Sequence, residues 1–157
     1  MCHVLSNMMY HLVRHPDDLQ RIRDELTMIN VRDYKALQHL SHLSACIYET
    51  LRLNPPVASA GLRLAPPEGM TVYGRFIPGG TTIAVPQYSV CRGDYQCPGK
   101  NLSLMEIRVA LALVLTQLDF EFAPGESGQR LFTQAIDYFT MSPGPMHLVF
   151  RTRIGNC

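Results

Sequence analysis

Fourteen residues constrain this chain more than any others: Leu102 to Leu115, in which the polar interruptions are Ser103, Glu106 and Arg108. An apolar run of that length, interrupted so sparsely, predicts a helix buried on most of its sides. The residues before it set where it begins. Cys97-Pro98-Gly99 forms a turn, Gly99 lets the backbone fold back tightly, and Asn101 is the expected N-cap. Cys97 is thereby expected beside a helix N-terminus, where free N–H groups and the positive end of the dipole favour thiolate over thiol. A thiolate so placed is a good soft ligand for iron, and cysteine thiolate is a recognised axial ligand of haem. A buried structural cysteine is the plainer reading of the same turn.

The rest of the chain must supply elements for that helix to pack against. Val4 to Val13 reads as the tail of a helix. Pro16 opens a second one, reaching about Met28: proline suits its first turn, and Asp17 and Asp18 favour its positive end. Leu19, Ile22 and Leu26 form its apolar stripe. Residues 30–38 read as polar and irregular. A third helix starts at Ser41 or Ser44 and stops at Leu53, before Pro55-Pro56. Its stripe is Leu40, Leu43, Ile47 and Leu51. Glu49 and Arg52 lie off that stripe as i, i+3 neighbours, and a solvated ion pair is their ordinary role.

After Pro56 the pattern changes. Short strand-like runs at 61–65, 70–73, 75–77 and 81–85 are separated by Pro66-Pro67-Glu68-Gly69, Gly74 and Pro78-Gly79-Gly80. They predict one small antiparallel sheet beside the helices. Beyond the long helix, residues 120–123 form a short strand and 124–128 a loop. Residues 138–141 and 146–150 are expected to close the chain as a hairpin around Ser142-Pro143-Gly144-Pro145. The fold class is α+β, mainly α.

Composition excludes several functions. The 157 residues carry a formal charge of +1, so nothing favours nucleic acid or an anionic membrane. Five cysteines, odd in number and without Cys-x-x-Cys spacing, suggest neither a disulfide framework nor a zinc site. An intracellular, reducing compartment fits them. No window is long and apolar enough for a membrane span, and no signal peptide is evident.

The order of motifs carries more than any one of them. Gly93-x-x-x-Cys97-x-Gly99-Lys100-Asn101-Leu102, continuing into Met105-Glu106-Ile107-Arg108, resembles the haem-binding loop of cytochrome P-450 monooxygenases, the fungal members above all. Glu49-Thr50-Leu51-Arg52 matches the family's Glu-x-x-Arg helix in spacing and context. Arg63, in Leu62-Arg63-Leu64-Ala65-Pro66, resembles the strand arginine that pairs with a haem propionate. Phe76 to Thr81 looks like the family's sheet turn.

The resemblance implies a C-terminal, haem-side part of that fold: a single partial domain over 1–157, truncated on its N-terminal side. A stretch of several dozen residues is expected to be missing between about 92 and 94. That stretch would supply a third partner for the Glu49–Arg52 pair. Val90 stands where an aromatic residue usually begins the cysteine loop, and Tyr95 where many members have arginine.

The implied function is a haem-thiolate monooxygenase. It would oxidise a small organic substrate of unknown identity with O2 and electrons from an NADPH-dependent reductase. Cys97 would be the axial ligand of the haem iron, Arg63 would anchor a propionate, and Glu49 and Arg52 would be structural. No further catalytic residue is assigned. Full-length relatives usually sit at the endoplasmic-reticulum membrane, and no anchor is read here. The alternative is a catalytically inactive fragment that binds haem weakly or not at all.

Overall fold

The computed structural model describes residues 2–57, 61–85, 99–138 and 140–153. Six helices and eight strands follow in chain order among them: α1 Cys2–Arg14, α2 Pro16–Thr27, α3 Tyr34–Gln38, α4 Ser41–Leu53, β1 Gly61–Leu64, β2 Met70–Val72, β3 Arg75–Ile77, β4 Thr82–Val85, α5 Lys100–Gln117, β5 Leu118–Phe122, α6 Arg130–Thr133, β6 Ile136–Tyr138, β7 Thr140–Ser142 and β8 Leu148–Thr152. The α+β class, with helices dominant, stands as expected.

The core belongs to the helices. Met8 and Leu12 of α1, Ile22 and Leu26 of α2, Leu37 of α3, Leu43 and Ile47 of α4 and Leu111 and Leu115 of α5 form one buried cluster, which Phe120 of β5 joins. In α5, residues 104, 107, 108, 111, 112 and 115 are buried, the i, i+3, i+4 spacing of one wide face. Most other positions of α5 are half-covered, and exposure is confined to its two ends. That is the burial a helix with so few polar interruptions requires.

Two polar contacts hold the layers together where packing alone would leave backbone groups unpaired. Helix α4 has Leu40 at its N-cap and no side-chain cap of its own. Glu25 of α2 supplies one, accepting the N–H of His42 at 2.9 Å, the N–H of Leu43 at 3.0 Å and the Ser41 hydroxyl at 3.1 Å. Arg23 does the converse at the end of α5. Its guanidinium donates to the carbonyls of Leu115 at 3.2 Å and Leu118 at 2.9 Å, and pairs with Asp119 at 2.7 Å.

The strands form four two-stranded antiparallel sheets among the described residues: β1–β4, β2–β3, β5–β8 and β6–β7. The one small sheet expected over 61–85 is therefore two. Between them, the 78–80 turn crosses Pro66-Pro67 so closely that a Cβ on Gly79 would lie 2.1 Å from the Pro67 carbonyl oxygen.

Three further expectations are corrected. Residues 34–38 are helical rather than irregular, because Asp33 caps them by accepting from the N–H groups of Lys35 and Ala36. Helix α5 begins at Lys100 with Gly99 at its N-cap, so Asn101 lies inside the helix. Residues 138–141 and 146–150 do not pair with each other. β6 and β7 pair on their own, and β8 lies beside β5 instead, with Phe120 opposite Phe150 and Arg151 reaching Glu121 at 2.6 Å. The β5–β8 pairing matches aromatic with aromatic and basic with acidic, and cross-strand pairs are what stabilise a sheet.

Candidate functional site

Arg63 is the expected site residue that the structure places most fully. β1 pairs with β4 in the register Arg63 opposite Ile83. The pairing is continued by Ala65, which donates to Thr81 at 2.9 Å and accepts from Gly80 at 3.1 Å. The Arg63 side chain is exposed and donates to the Leu62 carbonyl at 3.3 Å. Among the described residues no carboxylate pairs with it. Alternation along the strand puts Leu62 and Leu64 on the opposite face, 66% and 70% exposed. The guanidinium on one face of the strand suits an acidic substituent, and the uncovered leucines on the other face suit an apolar surface.

Glu49 and Arg52 meet on the outer side of α4 in a two-pronged contact. Arg52 Nε donates to Glu49 Oε2 at 2.7 Å, and Nη2 donates to Oε1 at 2.6 Å. Both side chains are 53% exposed. The hydrogen bonds from Arg52 are the largest influence on the Glu49 carboxyl and hold its pKa below the ordinary value. The pair is solvated in this structure, as its place off the apolar stripe predicts. It borders a cleft of about 330 Å³ between α1, α2 and α4, whose walls include His11, Asp18 and Cys46.

Cys97 lies outside the described residues, as do Cys91 and Cys157. The described sequence resumes at Gly99, the N-cap of α5, two residues further on. The two described cysteines are free thiols. Burial pushes the Cys46 thiol up, with the Asp18 and Glu25 carboxylates adding to the effect, so Cys46 stays protonated and is a poor metal ligand. Arg108 looks like a polar interruption of the helix, yet it is buried. Its spacing, four residues after Leu104 and three before Leu111, is the signal that it sits in the inward stripe.

The model of the family described as cytochrome P450 matches residues 1–94, well over half of the chain. The chain belongs to the cytochrome P450 family. Its relatives include the cytochrome P450 monooxygenase notG' of Aspergillus versicolor, 32% identical over 95% of this chain and 35% of its own length. Tryprostatin B 6-hydroxylase of Aspergillus fumigatus is also 32% identical, over 95% of this chain and 34% of its own. The monooxygenase eupD of a Phoma species is 30% identical over 94% of this chain and 65% of its own. The chain thus spans about a third of the length of the first two.

Haem is the cofactor of P450 proteins. Arg63 of this one fits it: its guanidinium is exposed and pairs with no carboxylate among the described residues, which leaves it open to a propionate. No helix among the described residues is long and apolar enough to cross a membrane. The notG' alignment spans 188 positions against a chain of 157 residues, so at least 31 positions of that relative face no residue here.

Proposed function

We propose that this chain forms the thiolate side of a haem monooxygenase, with Cys97 as the protein ligand of the iron. The observation that carries the proposal is the alignment of 95% of the chain with fungal P450 monooxygenases at 32% identity. Haem supplies oxygen activation when bound, and a thiolate ligand favours it. The chain's own residues bind and orient. Arg63 anchors a propionate from its exposed place on β1. Glu49 and Arg52 brace α4 and touch no reacting atom. The substrate is a small organic molecule, and electrons come from an NADPH-dependent reductase. An odd set of scattered cysteines supports an intracellular, reducing compartment.

We also infer one partial domain over 1–157, with the unmatched positions of the relatives falling between about 92 and 94. The end of the family match at residue 94 supports that placement. Sequencing the transcript across the codons for Val90 to Tyr95 tests it.

The test of the ligand is spectroscopic. The haem-loaded chain, reduced and exposed to CO, is expected to give the Soret band of a thiolate-ligated haem, and Cys97→Ala to abolish it. A band retained in that variant moves the ligand elsewhere, with Cys91 the nearest alternative in sequence.

A further inference from the structure

Arg108 points into the molecule from α5 and is only 6% exposed. Its Nη2 reaches the Ser44 hydroxyl of α4 at 3.5 Å, the long limit of a hydrogen bond, and its Nε has no acceptor. These two nitrogens form one edge of the guanidinium, the edge that grips an oxyanion side-on. The same edge of Arg52 shows what satisfaction looks like: Nε and Nη2 hold the two oxygens of Glu49 at 2.7 and 2.6 Å. The Arg108 edge holds no carboxylate among the described residues.

A buried charge without a partner is strongly unfavourable, so the site calls for an anion.

We propose that the Nε–Nη2 edge of Arg108, together with the Ser44 hydroxyl, binds a small tetrahedral oxyanion of the phosphate class between α4 and α5. The site offers three donors, two on the guanidinium edge and one on Ser44, and the oxygens of a phosphate can accept all three while its charge offsets that of the guanidinium. Ser44 is only half-buried, so this end of the site lies near solvent. The site is independent of haem, because it rests on α4 and α5 alone.

The experiment is thermal unfolding of the full chain in rising inorganic phosphate, with ionic strength held constant by sodium chloride. A saturable rise in Tm is expected for the wild type. Arg108→Met should weaken the apparent affinity at least tenfold, Arg108→Lys less, and Ser44→Ala several-fold. Phosphorus NMR should show line broadening that Arg108→Met removes. The absence of any phosphate response in the wild type overturns the site, and so does an equal response in Arg108→Met. If the methionine variant does not fold, a Ser44→Ala titration that superimposes on the wild type overturns it. Acetate stabilising as well as phosphate overturns the assignment to a tetrahedral anion.

Discussion

The carboxylate of Glu25, on α2, accepts the backbone N–H of Leu43, on α4, at 3.0 Å. Through this bond and those to His42 and Ser41, one helix caps the next. The arrangement leaves α4, which carries Glu49 and Arg52, dependent on α2 for the start of its own hydrogen-bond ladder.

Glu25→Ala is expected to destabilise the fold by about 1 to 2 kcal/mol, the usual cost of losing an N-cap. Burial alone would raise the Glu25 pKa. The donations from His42, Leu43 and Ser41 outweigh it, and the net shift is downward. A depressed carboxylate stabilises the fold above its unfolded pKa, and that contribution disappears as pH falls through the folded value. Urea unfolding followed as a function of pH should therefore show an acid loss in the wild type that is smaller in Glu25→Ala.

Arg23 gives a second measure of how the helices are tied. Its guanidinium serves two carbonyls at the end of α5 and the Asp119 carboxylate. Arg23→Met keeps most of the apolar stem and removes the donors. Hydrogen bonds to charged groups are worth about 1.5 to 3 kcal/mol, so a loss of about 2 kcal/mol is expected. Asp119→Ala should cost less, because it leaves both carbonyl contacts in place. Equal losses for the two variants in chemical denaturation would show that the ion pair, and not the helix end, carries the effect.

Glu126 is the third case. Its carboxylate accepts the N–H of Gly128 at 2.9 Å and the Arg130 guanidinium at 2.7 Å, and these, with the His147 N–H, hold its pKa down to about 2 against an ordinary 4.5. The stabilisation is complete above about 4.5 and is lost as pH falls from there towards 2. It ties the loop before α6 to the start of β8. Glu126→Gln should flatten the acid limb of the stability profile over that interval, as read from denaturation midpoints at successive pH values. An unchanged limb would assign the loss to other carboxylates.

The sequence already disclosed the helices whose start, stop and stripe are written locally. Pro16 with Asp17 and Asp18 opens α2, and Pro55-Pro56 closes α4 one residue beyond Asn54, its C-cap. The short runs between Gly and Pro positions correctly located β1 to β4. Glu49 and Arg52 were also readable as a surface pair, since both their spacing and their place off the apolar stripe are properties of one helix. Asp33 shows the limit of such reading: a single aspartate starts a helix of five residues, too short for any period to reveal.

By itself, then, the sequence determined the long helices, the strands β1 to β4, and which family's motif order they follow. Only the tertiary structure decided who pairs with whom. β8 sits beside β5, and not against residues 138–141, because a strand's own residues set its alternation but say little of its partner; the match of Phe150 to Phe120 and of Arg151 to Glu121 emerges across about thirty residues of chain. Arg108 makes the same point inside a helix. On a segment apolar nearly all round, no polar face marks the outside, so its burial against Ser44 was settled by the helices that α5 packs against.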